Sequence, residues 1–263
     1  MEEYGDVVRL RMSNWRSRLI GYEVSTYVTR NAMVDSGFPL ARPELDALLP
    51  ALRLDGAFIS HGHEDHAGNA PLLAERGVAL AIAATTLERV RAARPIPSYR
   101  RFTWGTPEPL TCAVVPFTHP VLRFLPAPGH AADHHAVWDP ERGTLFASDL
   151  WLGVRVKVAH ESEDPRLLVR TLRAFAGLAP SRMFDAHRGP VRDPVTALEA
   201  KADWTEATIA AIDARIAAGW DDRAIARQLL GREDWVAVVS HGEYARINLV
   251  RAVRRTAPRP SDR

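Results

Sequence analysis

A chain of 263 residues with 46% hydrophobic content can bury a full-sized core, as one large domain or as a domain with an appendage, which excludes a disordered tail. A formal net charge of +2 with 25% charged residues removes any molecule-wide signature of nucleic-acid or anionic-membrane binding, so a basic patch must be local. The stretch MEEYGDVVRLRMSNW starts with acids and lacks a signal-like apolar run, no later stretch approaches membrane-spanning length, and the single cysteine, Cys112, excludes an internal disulfide or thiolate cage. The expectation is a soluble cytoplasmic protein without a membrane partner, and any metal must be held by nitrogen and oxygen.

In chain order, VVRL near 7, LIGYEVSTYV near 19 and AMV near 32 have strand length and are broken by polar or turn residues. RPELDALLPALR (42–53) has leucines at helical spacing and leads into GAFIS (56–60), a short apolar run that stops at His61. NAPLLAERG predicts a short helix ended by Gly77, VALAIAA a buried strand, and TTLERVRAA a helix capped by Thr85 or Thr86. From 98 to 159 strand candidates return: VLRFLPAPG, HHAVWD, TLFAS and GVRVKV, with DPERG as a turn between two of them. A helix over 164–178 and a strand RMFDA (182–186) follow, and beyond about 194 Ala, Arg and Glu at helical spacing predict roughly three helices. The alternation is α/β.

The stretch SHGHEDHAGN gathers three of the chain's ten histidines and two acids within six positions. In an extended segment leaving a strand, alternate residues point the same way, so His61 and His63 can present imidazoles to one centre. Adjacent residues diverge, so a turn through Glu64, Asp65 and His66 can offer ligands to a neighbouring cation. Two metal sites fit better than one, although the stretch alone is also compatible with a single structural site. Neutral imidazoles suit Zn²⁺, while carboxylates broaden the choice to Mn²⁺ or Fe²⁺.

SHGHEDHAGN resembles the His-x-His-x-Asp-His signature of the metallo-β-lactamase superfamily, and AMVDSGFP, PAPGHAADHHAVWD, TLFASDLW and FDAHRGPV resemble that family's other motifs in order, over about residues 5–195. The resemblance implies an α/β fold, a four-layer αββα sandwich with metals at one edge, over 1–195, with a helical, winged-helix-like extension over 196–263. It further implies one metal held by His61, His63 and His130, a second by Asp65, His66 and His187, and Asp149 shared between them. Asp35 would support the metal loop from behind. Two Zn²⁺ per chain are expected, with Mn²⁺ or Fe²⁺ as substitutes. Four positive charges face Asp65 and Asp149, so a water held between the cations would lose its proton near neutral pH and attack, with these two aspartates as the catalytic carboxylates.

Departures from the family pattern narrow the activity. The commonest true β-lactamases have a cysteine where this chain has Asp149, and the ribonuclease J branch, which shares HGHEDH, carries an inserted domain too large for this chain. Thioesterases of glyoxalase type follow the bridging aspartate with Cys-Gly and a basic residue, which DLWLGVRVKVAH lacks. The fifth motif, usually Gly-His-Gly, reads Ala186, His187, Arg188 here, and Arg188 can narrow the pocket mouth or meet an anion. A binuclear hydrolase of a small ester, thioester or lactone leads. The rivals are a nucleic-acid phosphodiesterase or binder and a mononuclear iron dioxygenase of persulfide type, which uses fewer ligands.

Glu64 is expected in solvent. Of His134 and His135, one should face the core and the other the surface. Arg155 and Lys157 share a face if VRVKV is extended, and with His160 and Arg188 they are candidates for substrate binding. In the tail, Arg246, Arg251, Arg254 and Arg255 are locally basic and would suit an anionic partner. Packing onto the host domain or a homodimer partner is preferred, with Trp204, Trp220 and Trp235 as anchors.

Overall fold

The computed structural model describes residues 1–92 and 95–257. Its chain divides into two compact units: Met1–Pro126 with Asp133–Asp149 and Ser181–Arg192, and Ala127–Ala132 with Leu150–Pro180 and Asp193–Arg263. The last six residues of the expected extension, 258–263, lie outside the described residues, as does the end of the TTLERVRAA segment at 93.

In the first unit the early apolar runs become a six-stranded mixed sheet. Its order is β1 (Glu2–Tyr4), β2 (Val7–Met12), β3 (Val24–Thr29), β4 (Ala32–Val34), β5 (Gly56–Ile59) and β6 (Ala79–Ile82), antiparallel as far as β4 and parallel from there. A second mixed sheet has the order β12 (Gly189–Val191), β11 (Arg182–Asp185), β9 (Thr144–Ser148), β8 (His135–Asp139) and β7 (Arg123–Pro126), with β9 and β11 parallel. Strand β5 is buried along its whole length, as a central parallel strand must be. Its side chains alternate: Phe58 joins Tyr27, Phe146 and Phe184 in the core between the sheets, while Ala57 and Ile59 join the core on the opposite face. Phe146 and Phe184 stack with centroids 5.5 Å apart, and each such ring removed from water contributes about 2–3 kcal/mol.

The outer face of the first sheet is covered by α2 (Arg42–Leu52), α3 (Ala70–Glu75), α4 (Ala84–Ala92) and α5 (Ser98–Trp104), through Leu45, Leu72, Leu73, Val90 and Trp104. Helix α5 falls where strands were expected. The segment SYRRFTW has no apolar period, and its helix is fixed by tertiary contacts: Trp104 packs on Phe38 with centroids 5.1 Å apart, and Asn14 Nδ2 donates to Thr103 O at 3.0 Å. The expected strand LIGYEVSTYV shrinks to β3, because α1 (Trp15–Leu19) is started by a capping box in which Asn14 accepts from Ser17 N and Ser17 Oγ accepts from Asn14 N. Neither Thr85 nor Thr86 caps α4, which begins at Ala84, and the Thr86 hydroxyl instead donates to Asp133 at 2.9 Å.

The second unit contains α6 (Pro165–Ala176), α7 (Pro194–Ala217), α8 (Asp222–Leu229), α9 (Trp235–Val239) and α10 (Arg246–Arg255), with a two-stranded sheet of β10 (Ala159–His160) and β13 (Tyr244–Ala245). Among the described residues, four helices occupy the tail rather than about three. Ile209, Ile212, Ile225, Leu249, Val250 and Val253 share a core with Ala159. Of the expected tryptophan anchors only Trp204 packs on that core, while Trp220 and Trp235 are 42% and 54% exposed. Trp220 lies in the turn between α7 and α8, and Trp235 opens a helix that buries none of its residues. GVRVKV forms no strand, because Leu152 (φ 53°) and Gly153 (φ 119°) turn the chain out of the extended region. Arg155 and Lys157 are therefore exposed on irregular chain and share no strand face. Among the described residues no helix is long and apolar enough to cross a membrane.

Candidate metal centre

The site grows from the ends of strands. Leaving β5, the chain passes Ser60 and enters a tight turn in which His66 N and Ala67 N donate to His63 O at 3.1 and 2.8 Å. The turn is held against the chain after β4: Ser36 N and Oγ both donate to His66 O at 2.8 Å, and Asn69 Nδ2 donates to Ser36 O and Phe38 O. Gly68 is required there, because a Cβ would stand 2.2 Å from Glu64 O. These contacts bury His61 and His66 fully and leave His63 half-buried.

Two groups of side chains result. Ligand atoms of His61, His63 and Asp149 lie within 4.8 Å of one another, and so do those of Asp65, His66 and His187. Asp149, at the end of β9, faces both. Its Oδ1 stands 3.3 Å from His66 Nε2 and 3.3 Å from His187 Nε2, while its Oδ2 stands 4.0 Å from His61 Nε2. Asp65 Oδ2 lies 3.7 Å from His66 Nε2 and 3.6 Å from His187 Nε2.

His66 and His187 are each held from behind, and His63 Nδ1 meets His61 Nε2 at 2.8 Å. His66 Nδ1 donates to Asp35 Oδ2 at 2.9 Å, and Asp35 Oδ1 accepts from Ser60 N at 2.8 Å, so Asp35 sits where the sequence places it. His187 Nδ1 donates to Glu23 O at 2.8 Å, and its backbone N donates to Asp185 Oδ1 at 2.9 Å. His134, buried as expected of one of the pair, accepts from Asp149 N through Nε2 at 3.1 Å, while half-buried His135 stacks on Phe124.

Sequence reasoning missed Asp133. Its Oδ2 accepts from Gly62 N at 3.0 Å and from Thr86 Oγ1 at 2.9 Å, and Arg89 lies 3.4 Å from Oδ1, so a buried carboxylate ties the turn between His61 and His63 to α4. No spacing rule singles it out. Tyr22 was also missed; its ring stands edge-on to His187 at 5.5 Å. Glu64 is corrected: it is buried, not solvated, because Arg100 on α5 grips both its oxygens at 2.6 and 2.5 Å.

His130 belongs to the second unit, buried, with Nδ1 3.7 Å from Glu163 Oε1. Before it, Gly129 (φ 136°) is forced, since a Cβ would meet Leu168 Cα at 2.5 Å. His160 pairs with Tyr244 across β10 and β13, its Nε2 3.2 Å from Glu243 Oε1. Arg188 is exposed on the turn after His187, its N donating to Asp185 Oδ1 at 2.9 Å.

The electrostatics carry the mark of a cation site. Burial works against a charged His187, yet the carboxylates of Asp149 and Asp65 outweigh it and push its pKa up to about 9. His66 likewise rises well above its usual value despite burial, under Asp149, Asp65 and Asp35. Burial alone would raise Asp149, but His66 and His187 hold it well below the carboxylate range. Burial, with His66, His63 and His134 as neighbours, depresses His61. In such a place a proton substitutes for positive charge that a metal would bring.

The donor set fits one. It consists of nitrogen and oxygen, and ligand pairs around a tetrahedral Zn²⁺ are separated by about 3.4 Å, given bonds of ~2.1 Å. The separations of 3.6 and 3.7 Å within the second group, and of 3.3 Å from His66 to Asp149, match. His66 Nε2 is buried and receives no hydrogen bond, with its ring already fixed through Nδ1, as a ligand atom would be.

Comparison with known proteins agrees with the geometry. The family model of the metallo-β-lactamase superfamily matches residues 21–187, from the residue before Tyr22 to the second group's last histidine. The chain belongs to the metallo-β-lactamase superfamily. Its fold is accordingly the superfamily's, two mixed sheets flanked by helices, followed by C-terminal helices. A metallo-β-lactamase family protein from Thermus thermophilus is similar over 94% of this chain and 91% of its own, with a TM-score of 0.67 at 18% identity. A β-lactamase domain protein from Burkholderia ambifaria gives 0.62 at 19% identity over 82% and 77%. The metallo-β-lactamase FIM-1 from Pseudomonas aeruginosa, in a mono-zinc form, gives 0.58 at 16% over 77% and 92%. A β-lactamase-like protein 2 homologue from Caenorhabditis elegans is 34% identical over 74 residues, 28% of this chain but only 24% of that relative. Members of the superfamily are in general metal-dependent hydrolases.

Proposed function

We propose that the chain is a two-metal hydrolase of a small ester, thioester or lactone, acting in the cytoplasm. The observation that carries this reading is the carboxylate of Asp149, whose two oxygens turn toward separate groups of ligands. We assign His61, His63 and His130 to one cation and Asp65, His66 and His187 to the other, with Asp149 between them. Zn²⁺ suits this set best, with Mn²⁺ or Fe²⁺ as substitutes. When bound, the two cations supply an acidified water and a clamp for the substrate oxygen that becomes negative.

The chain's own residues supply the rest. Asp35 and Glu23 O fix the imidazoles of His66 and His187, so neither ring needs to reorganise during turnover. Asp65 and Asp149 bring two negative charges against four positive ones, which leaves the centre cationic and suited to a developing oxyanion. Tyr22, half-exposed, stands edge-on to His187, where its ring would limit the access of bulk water to that imidazole. Arg188, Arg155, Lys157 and His160 are proposed to meet substrate, and residues 196–263 to serve as a packing extension of a catalytic domain over 1–195.

Elemental analysis after saturation with Zn²⁺ or Mn²⁺, with a panel of ester, thioester, lactone and phosphodiester substrates, tests this. Two ions per chain and turnover of an acyl substrate are expected. A content fixed at one, unchanged by His187→Ala, removes the two-metal reading, and oxygen consumption by bound iron replaces it with a dioxygenase.

A further inference from the structure

Ser148 closes β9 immediately before Asp149, at φ 47°. This left-handed conformation crowds any Cβ, and glycine adopts it without that cost. The serine also sits at an irregularity in the pairing of β9 with β11, where Asp185 pairs with Ser148 while Phe184 pairs with Phe146. It is buried, so solvent exposure does not account for a polar side chain there.

Its hydroxyl lies in a hydrogen-bonded chain that reaches both ligand groups. Ser148 Oγ donates to Asp35 Oδ2 at 2.9 Å. A hydroxyl has one proton, so in its 2.8 Å contact with Ser60 Oγ it must accept. The Ser60 proton is thereby used, and Ser60 Oγ must accept from His61 Nδ1 at 2.9 Å. His66 Nδ1 donates to the same Asp35 Oδ2 at 2.9 Å and passes 3.1 Å from Ser148 Oγ. With Nδ1 donating, His61 Nε2 accepts from His63 Nδ1 at 2.8 Å, and from His61 Nδ1 onward the donors run in one direction to a single carboxylate.

We propose that Ser148 is a positioning residue that couples the two candidate metal positions: through Ser60 it fixes the ring of His61 by its Nδ1, and through Asp35 it fixes the ring of His66 by its Nδ1, so that each ring turns its Nε2 edge toward Asp149. Glycine would fit the backbone at this position better but would break the link. Asp35 reaches His66 directly, but it reaches the side chain of His61 through the two hydroxyls. The inference rests on the reading of His61 and His66 as metal ligands.

Ser148→Gly and Ser148→Ala test it together with the wild type. Zn²⁺ affinity measured by competition with a chromophoric chelator should fall about 10- to 100-fold in both variants. In the metal-free proteins, long-range ¹H–¹⁵N correlation spectra should show His61 as the Nδ1–H tautomer and His66 protonated at Nδ1 in the wild type, with loss of the fixed state of His61 in the variants. Ser148→Gly should melt above Ser148→Ala, since it alone relieves the backbone, so a fall in metal affinity shared by both is not a folding defect. Wild-type binding of two ions with unchanged affinity in both variants, or an Nε2–H tautomer at His61, overturns the coupling and leaves the hydrolase reading standing. A wild-type chain that takes up no metal overturns both.

Discussion

Asp149 Oδ1 stands 3.3 Å from His187 Nε2, and the two titrate against each other: the carboxylate is held well below its usual range and the imidazole is raised to about 9. In metal-free protein this links folding to pH. A proton bound more tightly in the folded chain stabilises it fully below about pH 6.5, and the stabilisation is lost as pH rises through about 9. The pair is counted once and is worth roughly 3 kcal/mol at most. The melting temperature of chelator-treated protein should therefore fall between pH 7 and 9.5, and saturating Zn²⁺ should flatten that slope by replacing the proton. A flat profile in the metal-free state would mean that His187 is not protonated at neutral pH.

Asp149→Ala should abolish turnover while leaving the fold largely intact. The strands around Asp149 are held by Leu145, Phe146 and Ala147, each at most 1% exposed, and apolar burial of that kind does not depend on one carboxylate. Its removal strips negative charge from the space between the two ligand groups, so metal content should drop and the rate should fall on the order of 10³-fold or more. Rate constants on the substrate found by the panel, beside circular dichroism and elemental analysis, decide it. A folded variant with near-normal turnover would refute the bridging role.

The strand ends and the HGHEDH turn are legible in the sequence because their signals are local: apolar runs of strand length, each stopping at an aspartate or histidine. What was not legible depends on partners distant in the chain. Glu64 reads as solvated from its neighbours, and only Arg100, 36 positions away, makes it a buried ion pair. Asp133 looks like a loop acid until Gly62 and Thr86 are seen to donate to it. GVRVKV has strand composition, but left-handed Leu152 and Gly153 prevent the extension that placed Arg155 and Lys157 on one face.

The Glu64–Arg100 pair supports a separate prediction. Burial pushes the Glu64 carboxyl up and Arg100 offsets this only in part. Arg100→Ala would leave that buried carboxylate without its guanidinium, which costs about 3 kcal/mol near neutral pH. The loss should shrink at pH 5, where protonation removes the charge, and Glu64→Gln in the same chain should recover part of it. Urea denaturation of the two single variants and the double variant measures the coupling. Additive losses would show that the two side chains act independently.

Of the tail's arginines, Arg246, Arg254 and Arg255 are committed inside their own unit, while Arg251 is exposed. Arg246 donates to Leu230 O at 2.6 Å and pairs with Asp234 at 2.7 Å, Arg254 pairs with Asp222 at 2.7 Å, and Arg255 donates to Glu163 O at 2.7 Å. A phosphate backbone would have to break these contacts before gaining its own. Fluorescence anisotropy with labelled single-stranded DNA, duplex DNA and RNA should therefore show no complex at physiological salt. Binding through these residues would weaken steeply with salt, with a logarithmic slope of about −0.9 per duplex phosphate neutralised. Arg246→Ala should instead lower the melting temperature, because its guanidinium bridges the end of α8 to the cap of α9, while exposed Arg254→Ala should cost less than about 1 kcal/mol. A tight, salt-sensitive complex lost on combining Arg254→Ala with Arg255→Ala would reverse this assignment and make the tail a recognition surface.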